Sequence, residues 1–140
     1  MNRAIRLYYE RVVGTAALLA VLVPLYFLVT GYEVAGPKAV PLACGTTIGE
    51  LGHDRGTTTD PAGACHAGAV TRLHVAGGYL VAFLAVGIVV WLVAGARERA
   101  LNRAWEAGRA GRRRVTTPGE VWLLAGVLFV VFVGFTQAAV

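Results

Sequence analysis

Residues 73–96 read LHVAGGYLVAFLAVGIVVWLVAGA, 24 positions without one Asp, Glu, Lys or Arg. An α-helix rises about 1.5 Å per residue and the hydrocarbon core of a bilayer is about 30 Å thick, so roughly 20 apolar residues cross it. Buried helices of a soluble protein usually keep a polar stripe, whereas here apolar residues go all the way round. Two further uncharged runs repeat the pattern: residues 12–32, 21 in number, and residues 121–140, 20 in number. Because lipid offers no partner to an unpaired backbone group, each run is expected to be helical.

Composition agrees. Of 140 residues 56% are hydrophobic and 15% charged, against about 45–50% and about 25% in globular chains. Too few polar residues remain to cover a soluble fold of this size. The apolar content, the lack of a glycine period and the presence of only two Cys exclude disordered, collagen-like and disulfide-framework classes. The expectation is an all-α membrane protein: three transmembrane helices, about 12–32, 75–96 and 121–140, in a single membrane domain 1–140. A long extracytoplasmic loop, 33–74, and a cytoplasmic connection, 97–120, join them. The first run exceeds a signal-peptide core of about 7–15 residues and lacks a clean small-x-small site, so an uncleaved helix is expected. Pro24 marks a kink in it, since proline removes one backbone hydrogen bond.

Basic residues set the expected orientation. Arg3, Arg6, Arg11, Arg97, Arg99, Arg103, Arg109, Arg112, Arg113 and Arg114 flank one side of the spans, against Lys38, Arg55 and Arg72 on the other. The positive-inside rule therefore places the N-terminus and the second connection in the cytoplasm, and the first loop and the C-terminus outside. The outer loop carries −1 (three bases, four acids) and the inner segments +6 (ten bases, four acids), which together make the net +5. Tyr8, Tyr9, Tyr32, Tyr79, Trp91 and Trp122 lie near the expected helix ends, as an interfacial belt requires.

In the cytoplasmic connection Ala96, Ala100, Leu101, Ala104 and Trp105 keep helical spacing, so the second helix is expected to run past the membrane until Gly108 and Gly111. Thr117, Pro118 and Glu120 read as N-cap, N1 and N3 of the third helix. Arg109, Arg112, Arg113 and Arg114 form a basic cluster suited to anionic lipid, where each base gains about 1 kcal/mol, or to an acidic partner subunit. No interleaved aromatics accompany it, so nucleic acid is not an expected partner.

The outer loop is rich in Gly, Pro, Thr and Ala and shows no sustained period, and a loop of that length is usually functional or tied down. Cys44 and Cys65 are expected to tie it: on an oxidising face, two cysteines with no other candidates pair with each other. The alternatives are a metal site built from Cys44, His53, Cys65 and His66, with His74 nearby, or a redox-active pair. Structural zinc sites favour tight Cys-x2-4-Cys pairs and redox pairs favour Cys-x-x-Cys, and neither spacing occurs. No cofactor is expected, and no small-molecule substrate is identified.

Apart from His74 at an outer edge, the spans hold no ionisable residue of the kind that marks proton relays and substrate paths. They hold small residues instead. Ala16 with Ala20, and Gly78 with Ala82, fit the small-xxx-small pattern that lets helices approach closely.

Twelve Arg to one Lys, with abundant Ala, Gly and Val, is the usage of a GC-rich genome. With the Cys44-Gly45 step and a later Cys65 before the second span, residues 12–96 resemble small uncharacterised multi-pass membrane proteins of actinobacteria. The resemblance implies a plasma membrane with an oxidising outer face and brings no catalytic residue with it. The expected function is that of a non-catalytic accessory or assembly subunit of a larger plasma-membrane complex, respiratory or concerned with envelope transport. Its partners would be other integral membrane subunits and anionic lipids. The alternative is an outer-face module whose Cys44 and Cys65 loop holds a metal or a redox partner.

Overall fold

The computed structural model describes residues 3–35, 41–52, 63–106 and 118–138. In chain order these form α1 (Arg3–Val29), β1 (Gly31–Ala35), β2 (Pro41–Thr46), α2 (Thr47–Leu51), α3 (Ala64–Glu106) and α4 (Pro118–Ala138). Among the described residues three helices, α1, α3 and α4, are long and apolar enough to cross a membrane. α3 has 43 residues, about 65 Å at 1.5 Å per residue, roughly twice the thickness of a hydrocarbon core. Its continuation beyond Ala96 matches the periodicity of Ala100, Leu101 and Ala104. α4 begins at Pro118, the position read as N1, and α1 continues through Pro24; Thr117, the expected N-cap, and Gly108 and Gly111 lie outside the described residues.

The connection after α1 departs from the expected all-α loop in two ways. Strands β1 and β2 pair antiparallel as a two-stranded hairpin, Tyr32 opposite Cys44 and Val34 opposite Leu42, and α2 follows at once. The loop is also shorter than 33–74, because α3 starts at Ala64 and takes in eleven of those positions. The reason lies in the period: Cys65, Ala69 and Ala76 are buried at spacings of four and seven, one stripe of a helix, among polar residues that otherwise read as loop. The first helix ends at Val29, before the end of the uncharged run at Tyr32. Thr30 still donates its amide to the Tyr26 carbonyl at 3.1 Å, and the chain then enters β1.

Packing divides the chain into two units, Met1–Ala20 with Val81–Ala139, and Val21–Leu80 with Val140. In the first unit Tyr9 and Val12 of α1, Val86 and Val90 of α3, and Val121 and Ala125 of α4 form the core, flanked by Leu128, Phe129 and Phe132. The α4 positions recur at three and four, the seam that facing helices share. Phe83 stacks on Phe129 with ring centroids 4.5 Å apart. Ala16 and Gly87 let α1 and α3 approach so closely that a Cβ on Gly87 would lie 3.7 Å from that of Ala16. Lipid is as apolar as Leu, so close packing of this kind, rather than water exclusion, joins helices in a bilayer. Ala16, Ala20, Gly78 and Ala82, the small-xxx-small residues, are all buried within the chain.

Candidate functional site

Among the described residues the second unit carries a dense set of specific interactions, and it begins with the hairpin. Tyr32, Val34, Leu42 and Cys44 are half-buried, while Gly31, Glu33, Ala35, Pro41, Ala43 and Gly45 between them are exposed. This is the period-two pattern of a ribbon with one covered face. Two strands alone are marginally stable at best. Here the covered face is fixed to the first turns of α3 at three points.

A disulfide joins Cys44 of β2 to Cys65 of α3, with Cα atoms 5.6 Å apart. The Tyr32 hydroxyl donates a hydrogen bond to the Cys65 carbonyl. Gly68, one turn further along, lies directly against the hairpin: a Cβ there would fall 2.7 Å from Val34 Cγ1 and 2.8 Å from Tyr32 Cε2. No side chain larger than hydrogen fits that contact without movement.

The turn into α2 is closed in the same economical manner. Thr46 is its N-cap, and the hydroxyl accepts the Gly49 amide at 3.2 Å. Glu50 reaches back to accept the Gly45 amide at 3.1 Å, a reciprocal arrangement akin to a capping box. Thr47 is fully buried and donates its hydroxyl to the Phe27 carbonyl at 2.7 Å. That carbonyl belongs to the last turn of α1, where helical acceptors lack intrahelical donors.

Arg72 completes the cluster. Its Nη2 donates to Thr30 Oγ1 at 2.8 Å and its Nη1 to the Gly31 carbonyl at 3.4 Å. The guanidinium lies 4.9 Å from the Tyr32 ring centroid and 5.6 Å from that of Phe27, and Phe27 stacks on Tyr79 at 5.7 Å. A cation at the C-terminal end of α1 opposes the negative pole of the helix dipole, and the two ring faces add cation–π attraction. No carboxylate pairs with Arg72 among the described residues, and its Nε is buried without a hydrogen-bond partner.

Cys44 and Cys65 are thus placed together, and as a disulfide their sulfurs do not offer the thiolates that bind metals. His66 Nδ1 lies 3.4 Å from the Glu50 carbonyl, and His74 is exposed on α3. Among the described residues no three His, Cys, Asp or Glu side chains form a metal-binding group. His53, the remaining metal candidate, and the basic cluster Arg109, Arg112, Arg113 and Arg114 lie outside the described residues. In the sequence Arg72 reads only as one outer-loop charge. Its spacing of seven from Cys65 puts both on one face of a helix, a signal that counts only once α3 is known to start at Ala64.

No family model matches the chain, and neither a curated protein nor a solved structure shows detectable similarity to it.

Proposed function

We propose that this chain is a non-catalytic accessory or assembly subunit of a larger plasma-membrane complex, and that the stapled hairpin is its principal contact element. One observation carries the reading. The hairpin's covered face is held to α3 by a covalent bond, a hydrogen bond and a glycine contact, while Glu33, Ala35, Pro41 and Ala43 on its other face are exposed. A surface ordered in advance loses little conformational entropy on docking, which is what a permanent subunit contact favours. The edge of an exposed two-stranded ribbon is also a surface to which a partner strand can add.

The helices support the same reading. Leu18, Val21, Leu22 and Leu25 of α1, Ile88 and Leu92 of α3, and Leu123, Val130 and Phe135 of α4 are exposed apolar side chains. Such faces suit lipid and the helices of partner subunits. The excess of Arg on the N-terminal and 97–120 segments orients the molecule with its N-terminus in the cytoplasm and the hairpin outside, where an oxidising face maintains the disulfide. The basic cluster at Arg109 and Arg112 to Arg114 then meets the anionic inner leaflet or an acidic subunit surface.

Purification in a gentle detergent followed by mass determination tests the proposal. A defined assembly larger than the 14.7 kDa chain, containing a second integral membrane protein in fixed ratio, is the expected result. A stable monomer without a co-purifying subunit contradicts it.

A further inference from the structure

A groove of about 580 Å³ runs between α1 and α3 within the first unit, and its two ends differ in chemistry. Arg6, Glu10, Glu98 and Arg99 line one end; Val13, Trp91 and Leu92 line the other. The contact of Ala16 with Gly87 fixes the direction. Moving away from it, α1 passes Val13, then Glu10, then Arg6, while α3 passes Trp91, then Gly95, then Arg99, so the charges gather at the ends of the spans and the apolar wall lies within them. Gly14 and Gly95 open the space between, since a Cβ on either would meet no atom within 4 Å. The volume lies within the range of about 300–1,000 Å³ typical of small-molecule sites.

We propose that this groove binds one zwitterionic aminophospholipid, with its phosphate on Arg99, its ammonium on Glu98 and the start of an acyl chain along Val13, Leu92 and the exposed Trp91. The inference rests on the reading of α1 and α3 as membrane spans. Charge complementarity selects the occupant. The polar end has two bases and two acids, balanced in sign, and Arg6 already bridges Glu10 at 2.9 Å. Glu98 and Arg99 are adjacent charges of opposite sign, the pattern that a phosphate and an ammonium on one headgroup match. An anionic headgroup would meet as many carboxylates as guanidiniums, and an inorganic phosphate would leave the apolar end uncovered. Trp91, at the apolar end, is 66% exposed and open to an acyl chain.

Trp91 also supplies the probe. The full chain carrying Trp105→Phe and Trp122→Phe is reconstituted in phosphatidylglycerol bilayers with a minor fraction of phosphatidylethanolamine brominated on its acyl chains, which quenches indole on contact. Relative to the same fraction of brominated phosphatidylglycerol, a preference of roughly fivefold is expected, the ratio that a modest gain in contact energy produces. Glu98→Gln with Arg99→Gln should reduce it to parity, and Gly95→Leu, which fills open space, should do the same by a different route. Equal quenching by both lipids, unchanged in the variants, would mean bulk lipid only and overturn the proposal, as would a preference for phosphatidylglycerol. If neither lipid reaches Trp91 while a chain keeping only Trp122 is quenched, protein covers the groove and the lipid assignment fails alone. If neither tryptophan is quenched, the reading of the helices as membrane spans fails with it.

Discussion

Gly68 of α3 and Tyr32 of β1 are in such close contact that a methyl group on Gly68 would lie 2.8 Å from Tyr32 Cε2. The same tyrosine donates its hydroxyl to the Cys65 carbonyl and stands beneath the Arg72 guanidinium. One ring therefore couples the disulfide, the glycine and the half-buried cation.

Gly68→Ala should destabilise the fold although it raises helix propensity. Overpacking of a close contact costs about 1–3 kcal/mol, more than the gain of about 1 kcal/mol from replacing a helical glycine. Gly77→Ala on the same helix, where a Cβ meets no atom within 4 Å, should stabilise by up to about 1 kcal/mol. Thermal unfolding of the two variants in one detergent checks the contrast, and equal Tm changes would refute the close packing of the hairpin on α3.

Cys44→Ser with Cys65→Ser removes a cross-link between residues 21 apart in sequence. In the chain-entropy model that loop is worth about 3 kcal/mol. The double variant should unfold at a lower temperature. Its hairpin amides should also exchange hydrogen faster than those of α4, because the ribbon depends on its staple and the helix does not. Uniform acceleration over both elements would show that the disulfide supports the fold globally instead.

Arg72→Lys keeps the charge and loses the planar fork and its stacking on two rings. A loss of about 1–2 kcal/mol is expected, from weakened hydrogen bonds to Thr30 and Gly31 and weakened cation–π contact. A double-mutant cycle with Thr30→Ala should return a coupling above about 0.5 kcal/mol, as contacting residues do. Additive effects would exclude the Arg72–Thr30 interaction as a source of stability.

The orientation is checked by adding one cysteine to the otherwise native chain, whose own two cysteines are occupied. A membrane-impermeant maleimide should label Ala43→Cys on intact cells, and Arg103→Cys only after permeabilisation. The opposite pattern would invert the map.

The three long apolar helices are readable from composition because an uncharged apolar run of about 20 residues matches the thickness of a hydrocarbon core. The hairpin is not, and the cause is physical. Its alternation is carried by Tyr32, Val34, Leu42 and Cys44, but the intervening Ala35 and Ala43 are apolar too, so the period-two pattern is blurred. The early start of α3 is hidden by His66, Thr71, Arg72 and His74, polar residues that suggest a loop unless the stripe of Cys65, Ala69 and Ala76 is known to be buried. The two cysteines announce their pairing. What that pairing holds in place, a ribbon seated on Gly68 and a guanidinium closing the end of α1, depends on contacts between distant residues that spacing alone does not reveal.

Photocrosslinking in native membranes tests whether the stapled hairpin is the contact with a partner subunit. A photoreactive amino acid at Ala43, exposed on the ribbon, should yield one discrete adduct with another membrane protein, and the adduct should vanish in the Cys44→Ser, Cys65→Ser background. A chain that stays monomeric under illumination with the probe at Ala43, and again at Glu33, would contradict the proposed role of the hairpin.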